Sequence, residues 1–531
     1  RSRFGPAACD HRVFVICSDG DLQEGISHEA ASLAGHLKLG RLIYVYDDNH
    51  ITIDGPTEIS YSDDVPRRFE AYGWHVQDIG EVANDLDAIE AALRQAMAEA
   101  DRPSLVVLRS HIGWPSPHLT DTAKAHGSPL GEEEVRATKA ILGLPPDSQF
   151  WVPPEVLDFY RQAVPRGQRL RAAWEAAQAA VAADREDWEA CLAGRGLAGW
   201  AQKLPSFQAG QSLATRRAIK ACIDSTSDLI PGLMAGGADL TENTGTEMQG
   251  QPRQSAEHPG GRQMAYGVRE HAMGAVMTGM AHHGGVLPVG GTFFVFSDYM
   301  RPAVRLAALS GAHVIYAWTH DSIGLGEDGP THQPVEQLAA MRAMPGLRVI
   351  RPADANEVAQ AWRVAVDSEG PTALVLTRQA VPVLEETAER APGLARGAYV
   401  LVDEDPGPPQ LVLIGTGSEV HLCVGAARVL AGRGIRARVV SMPSWELFEA
   451  QTPGYRDSVL PPGAPRLAVE AASSFGWERY ADATVSLDRF GASAPGAVNM
   501  ERFGFSTENV VKRALELVRA RSAPASEEDE P

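Results

Sequence analysis

The chain has 531 residues, 44% of them apolar and 22% charged. That is ordinary globular composition, and at roughly 100–200 residues per domain it predicts about three domains. Forty-eight basic residues against 68 acidic ones leave a net charge of −20, which excludes a general phosphate-backbone binder, so no nucleic acid partner is expected.

No run approaches the ~20 apolar residues of a membrane span, so no membrane partner is expected either. The longest greasy stretch, Ala272 to Phe296, is broken by His282, His283 and several glycines. The five cysteines (Cys9, Cys17, Cys191, Cys222, Cys423) are an odd number with no Cys-x-x-Cys pair. Neither a disulfide framework nor a zinc site is expected, and a reducing cytoplasm is. Arg1-Ser2-Arg3-Phe4-Gly5-Pro6 leads into no apolar segment and does not read as a signal peptide; nor is it a translation start, since no methionine opens the chain.

Arg12 to Cys17 is a short continuous apolar run, the pattern of a buried parallel strand. A helix from about Glu24 to Leu39 and a second strand, Leu42–Tyr46, complete a βαβ unit and imply a parallel sheet. A helix over Val82–Ala100 and a strand over Leu105–Arg109 extend it. Doubly wound sheets usually carry more strands ahead of such a unit, so the first domain, 1–166, reads as lacking its beginning. Residues 167–203 form a linker, with an Ala/Arg/Glu-rich amphipathic helix from Gly167 to Gly194 carrying Trp174 and Trp188. A second α/β domain spans 204–385, with a helix over Gly267–Met280 and strands at Val286–Val289, Ala312–Trp318 and Thr372–Leu376. A third, 386–521, has strand Leu411–Ile414, a Gly415-Thr-Gly-Ser418 turn, helix Val420–Gly432 and strand Ala437–Ser441. The acidic tail, 522–531, is expected to be disordered. The fold class is therefore three doubly wound α/β domains with mainly parallel sheets.

Ligands in open α/β sheets bind beyond the carboxyl ends of strands. Asp19 follows the first strand and Asn49 the second, 30 positions later. A carboxylate, an amide oxygen and nearby carbonyls are hard ligands suited to Mg²⁺ and a phosphate. The same residues serve equally as helix caps and strand ends, and spacing alone leaves the two readings level.

Longer strings break that tie. Asp19-Gly-Asp-Leu-Gln-Glu-Gly-Ile-Ser-His-Glu-Ala30, leading to Asp47-Asp-Asn-His-Ile-Thr-Ile-Asp54, closely resembles the thiamine-diphosphate motif of transketolases. The resemblance continues through Asp63-Asp-Val-Pro-Arg-Arg-Phe-Glu-Ala-Tyr-Gly-Trp-His75, Gly267-Val-Arg-Glu-His-Ala-Met273 and His320-Asp-Ser-Ile-Gly-Leu-Gly-Glu-Asp-Gly-Pro-Thr-His-Gln-Pro334. It also takes in Leu376-Thr-Arg-Gln379 and Phe490-Gly-Ala-Ser-Ala-Pro495. It implies a diphosphate- and Mg-binding domain, a pyrimidine-binding domain and a transketolase C-terminal domain.

By this resemblance Asp19, Asn49 and the Ile51 carbonyl ligate Mg²⁺, with Ca²⁺ or Mn²⁺ able to stand in. Gly20 lets the diphosphate approach the backbone, and Ser18 stands where many relatives carry glycine. Ile53 and Ile112 pack against the thiazolium. Glu270, a lone carboxylate in an otherwise apolar helix, needs a partner; Arg269 is the local one, and the resemblance supplies the aminopyrimidine N1′. Phe293, Phe296 and Tyr299, at i, i+3 and i+6, read as core by spacing alone; the resemblance makes them the pyrimidine pocket, with Leu240 and Asp239 beside it. It assigns the sugar phosphate to Arg216, Arg378, His320 and Asn243, the last where relatives often carry serine. It gives a sugar hydroxyl to Asp328 and proton-shuttling roles to His126 and His332.

The implied reaction carries a two-carbon ketol unit from xylulose 5-phosphate to ribose 5-phosphate or erythrose 4-phosphate, in the non-oxidative pentose phosphate pathway. The resemblance also implies a homodimer, the first domain of one subunit and the second of its partner building each site. Transketolases carry a segment ahead of the Asp19 motif that this chain lacks, so a catalytically incomplete fragment or interaction protein with residual cofactor binding stands as the alternative class. Dihydroxyacetone synthase is the near enzymatic alternative. Deoxyxylulose-phosphate synthase and the thiamine-dependent pyruvate dehydrogenase component fit less completely beyond Glu327-Asp-Gly-Pro-Thr-His332. The Gly415–Ser418 turn alone is weak evidence for a nucleotide.

Overall fold

A computed structural model describes residues 1–178, 185–403 and 407–522; residues 523–531 of the expected tail lie outside it. The chain forms two compact units, residues 1–185 with 255–260 and the remainder from 186 onward.

The first unit is built on a four-stranded parallel sheet in the order Val13–Ser18, Leu42–Asp48, Ser104–Arg109, His75–Asp78. Its core, Leu22, Tyr46, Phe69, Trp74 and Leu105 among others, packs helices on the two central strands. The run from Arg12 does form a parallel strand, but it sits at the sheet edge. Phe14 is 52% exposed and Ile16 81%, so the fully buried strand expected from its apolar run is corrected. A strand is shielded on its faces only where helices pack against them, and an edge strand has a neighbour on one side alone. The expected helix over Val82–Ala100 begins later, at Leu86, because the Asp85 side chain accepts from the amides of Asp87 and Ala88 and caps it there. Of the expected linker helix, Ala163–Gln178 and Arg185–Leu192 are helical and residues 179–184 lie outside the described residues; Trp174 donates to the Ala8 carbonyl (2.9 Å).

The second unit holds a six-stranded and a five-stranded sheet. The first runs Arg348–Ile350, Thr372–Leu376, Ile315–Thr319, Leu287–Phe293, Leu233–Gly237, Gln263–Ala265, all parallel. The second runs Tyr399–Val402, Ala437–Ser441, Leu411–Gly415, Arg466–Val469, Ala483–Val485, parallel except for its first pair. One continuous apolar core joins them, with Trp362, Ile350 and Leu374 of the first meeting Tyr399, Leu413 and Val439 of the second. The mainly parallel α/β architecture matches the sequence expectation. Among the described residues no helix is long and apolar enough to cross a membrane.

Candidate functional site

In the first unit, Asp19 opens a short helix directly after the strand Val13–Ser18. It is 2% exposed and does not itself line the adjacent cleft of about 490 Å³, which its neighbours Ser18 and Gly20 line with Asn49, Ile51, Ile53 and His126, among others. Its carboxylate accepts from the Tyr46 hydroxyl (2.5 Å) and the His50 amide (3.1 Å). Burial pushes the Asp19 pKa up, and Asp48 adds to that, while the bond from Tyr46 opposes it. The Asn49 amide oxygen accepts from the Ile51 amide (3.0 Å), which folds the chain back so that both residues reach the cleft. Ser18 accommodates its position by donating its amide to Asp21 (2.8 Å). A Cβ added at Gly20 would meet nothing within 4 Å, so its backbone faces open space.

These groups fit a divalent cation with a diphosphate: a buried carboxylate, an amide oxygen and the Ile51 carbonyl beside an open glycine. Among the described residues no three His, Cys, Asp or Glu side chains form a metal cluster. Ile112 is half-buried and does not line the cleft, whereas Ile53 does, at 70% exposure. Tyr46 and His50 went unnoticed in the sequence. The only signal was a tyrosine immediately before the acidic pair.

In the second unit the aromatic residues converge. Phe293 ends a strand and a 3₁₀ turn, Phe294–Asp298, follows. Three residues per turn, not 3.6, set Phe293, Phe296 and Tyr299 above one another. Phe293 and Phe296 stack with centroids 5.6 Å apart, and Tyr299 meets Phe296 edge-on at 5.9 Å. Phe294 turns away and stacks on Trp318 in the core.

His320 follows the strand Ile315–Thr319 with φ +63°. Its ring lies 3.7 Å from that of Phe293, and its Nδ1 shares a hydrogen bond with Thr319 Oγ1 (2.8 Å). His332 lies 5.5 Å from Phe296, its Nδ1 bonded to Thr331 Oγ1 (2.9 Å). Burial, reinforced by Arg216, Arg378 and His332, drives His320 down to about 3, so it is neutral. Arg216 donates to the Asn243 carbonyl (2.8 Å) and amide oxygen (3.2 Å), and Arg378 donates to the Leu325 carbonyl (2.9 Å). Burial first, then the Arg378 and Arg217 charges, lowers the Arg216 pKa, with Glu242 opposing them. Asn243 therefore orients Arg216 through its oxygens. Asp328 is exposed, as is Asp239 at φ +61°, with Leu240 half-buried next to it.

Glu270 is half-buried and begins the helix Glu270–His283, which the sequence had started at Gly267. The carboxylate therefore stands in the first turn of the helix, beside amides that have no partner within it, and not in the helix interior.

This is a mainly parallel α/β scaffold with an oxygen-rich cleft after the strands of its first unit and, in its second, an aromatic and histidine cluster near two arginines, features of the class that binds thiamine diphosphate. Three family models match it in order: transketolase, thiamine diphosphate binding domain, over residues 2–197; transketolase, pyrimidine binding domain, over 211–383; and the transketolase-like C-terminal domain over 397–506. Transketolase of Geobacillus stearothermophilus is 48% identical over 528 residues, spanning 97% of this chain and 79% of that protein. The structure of transketolase from Leishmania mexicana superposes with a TM-score of 0.94 at 42% identity, over 98% of this chain and 79% of that one. The transketolase of Pichia stipitis in complex with sedoheptulose 7-phosphate gives 0.92 at 39% identity, over 98% of this chain and 80% of that one. The chain belongs to the transketolase family.

Proposed function

We propose that the chain transfers a two-carbon ketol unit from xylulose 5-phosphate to ribose 5-phosphate or erythrose 4-phosphate, as a homodimer in the cytoplasmic pentose phosphate pathway. The carrying observation is neutral His320, packed on Phe293 of the Phe293–Phe296 stack with His332 against Phe296 and the charges of Arg216 and Arg378 acting on it, in a chain whose relatives include a transketolase crystallised with a sugar phosphate. The reading divides the chain as the sequence did, with 1–166 for the diphosphate, 204–385 for the pyrimidine and 386–521 at the C-terminus.

Thiamine diphosphate, when bound, supplies the nucleophilic carbon at which the ketose is cleaved. The residues of the chain do the rest. Asp19, Asn49 and the Ile51 carbonyl would hold Mg²⁺, and the bare Gly20 backbone leaves the diphosphate room. Ile53, which lines the cleft, would cover the thiazolium, with Ile112 set back from it, and Phe293, Phe296 and Tyr299 with Leu240 and Asp239 would cover the pyrimidine. Glu270 would hold a proton against the pyrimidine N1′. Arg216 and Arg378 grip the sugar phosphate as forks, steadied by Asn243, while uncharged His320 is free to donate or accept one hydrogen bond. His332 and His126 would move protons at the sugar oxygens, and Asp328 would accept from a hydroxyl.

The test is ketol transfer between xylulose 5-phosphate and ribose 5-phosphate with thiamine diphosphate and Mg²⁺ present. Glu270→Ala should cost about 10²–10⁴-fold in kcat, the range typical of a lost proton-transfer group. Full activity in that variant would overturn the assignment. Formaldehyde accepted in place of ribose 5-phosphate would instead favour dihydroxyacetone synthase.

A further inference from the structure

The Gly415-Thr-Gly-Ser418 turn has no part in the proposed reaction, yet its polar groups are fully engaged. Arg351 follows the strand Arg348–Ile350, is 0% exposed, and runs its guanidinium into the turn. Its Nη1 donates to the Thr416 carbonyl and hydroxyl, both at 3.0 Å, and to the Glu419 carboxylate. A Cβ on Gly417 would lie 2.5 Å from the guanidinium carbon, and that residue has φ +52°. Glycine is required there twice over, and the purpose is to admit an arginine.

The other edge of the fork reaches the loop that bears His320. Arg351 Nε and Nη2 donate to Asp321 Oδ2 at 3.0 and 2.7 Å. The turn is braced from behind: Thr416 Oγ1 donates to Glu470 (2.6 Å), which Arg342 grips with two nitrogens at 2.9 and 2.7 Å, and the Ala471 amide donates to Glu419 (3.0 Å). His320 itself sits in the left-handed region, where a non-glycine residue is strained and persists only if its surroundings impose it.

We propose that Arg351 is a positioning residue for the sugar-phosphate pocket. Seated in the Gly415–Glu419 turn, it holds Asp321 and thereby keeps the adjacent His320 in its left-handed conformation against Phe293. The turn that resembles a nucleotide loop is a receptor for this arginine, and it links the five-stranded sheet to substrate recognition. The inference rests on the reading that His320, Arg216 and Arg378 receive the phosphate.

Two full-length variants test it: Arg351→Lys, which keeps the charge and loses the fork, and Gly417→Ala, which keeps every charge and displaces the guanidinium. The probes are inorganic phosphate, titrated calorimetrically, and xylulose 5-phosphate against unphosphorylated xylulose in the transfer assay. Whichever variant folds should raise the phosphate Kd by about 10-fold or more, and shift the KM ratio of phosphorylated to free ketose by a similar factor. A merely structural role would lower Tm and weaken both ketoses alike, and that result overturns the inference, as does failure of the unaltered chain to bind phosphate. If the unaltered chain binds phosphate in an Arg351-dependent way but transfers nothing, the positioning role stands and the ketol-transfer reading falls. Transfer accompanied by Arg351-independent phosphate binding sinks the positioning role alone.

Discussion

Asp19 in the first unit and Arg351 in the second are each at most 2% exposed, yet their surroundings differ in kind. Arg351 is matched within the protein by two carboxylates, Asp321 and Glu419, and by the Thr416 oxygens. Burial alone would lower its pKa, but those carboxylates outweigh burial and raise it, so the charge is fixed. Asp19 is held by a phenol and a backbone amide, with Asp48 adding negative charge nearby. One region meets its buried charge with opposite charges of its own; in the other a phenol and an amide do so, with the His50 ring opposing Asp48. The contrast separates a charge that the fold has fixed from one that an added cation would offset, more sharply than burial does.

The largest expected effect breaks the completed cluster. Arg342 and Glu470 form a two-pronged pair, 3% and 1% exposed, and burial is overcome by Arg342 so that Glu470 titrates at about 2. Arg342→Met strands that carboxylate and should cost about 3–5 kcal/mol of stability in denaturant unfolding. A loss below about 1 kcal/mol would mean the cluster is as adaptable as a surface pair.

Next comes pH. Glu357, buried on the helix Ala355–Asp367, is pushed up from 4.5 to about 7, first by burial and then by Asp354, against hydrogen bonds from Ser441, the Ala353 amide and Tyr399. The fold binds this proton more tightly than the unfolded chain does. Its contribution is therefore complete below about pH 4.5 and fades as pH rises through about 7. Stability measured across that window should fall with rising pH and flatten in Glu357→Gln; an unchanged slope in the variant assigns the dependence to another group.

The smallest effect lies in the first unit, away from the cleft. Asp85→Ala removes the cap from helix Leu86–Ala98 and should cost about 1 kcal/mol, read as a shift of the urea midpoint with transfer activity untouched.

Much of this architecture was legible because buried parallel strands are written as apolar runs: Thr372–Leu376 and Ala437–Ser441 match their expected spans. Helix starts were less so. The helix expected from Gly267 begins at Glu270 because Gly267, at φ +68°, and Arg269, at φ −150°, are not helical. Of the candidate site, His320 and His332 come from one long motif and meet Phe293 and Phe296, which spacing alone reads as core because helix-spaced aromatics usually are. Arg351 was invisible because an arginine ending a strand reads as a surface cation, and its partners Asp321, Thr416 and Glu419 lie 30, 65 and 68 positions away. His50 leaves no mark on the sequence because it reaches Asp19 through its backbone amide, and Tyr46 because its hydroxyl bonds a carboxylate 27 positions away.

The most direct test of the account is a calorimetric titration of the chain with thiamine diphosphate in Mg²⁺, repeated with Asp19→Ala. The account predicts saturable binding that requires Mg²⁺ and is lost in the variant, while the fold is retained. Equal binding by both proteins, or by neither, would contradict the claim that the Asp19 cleft is the cation and diphosphate cradle.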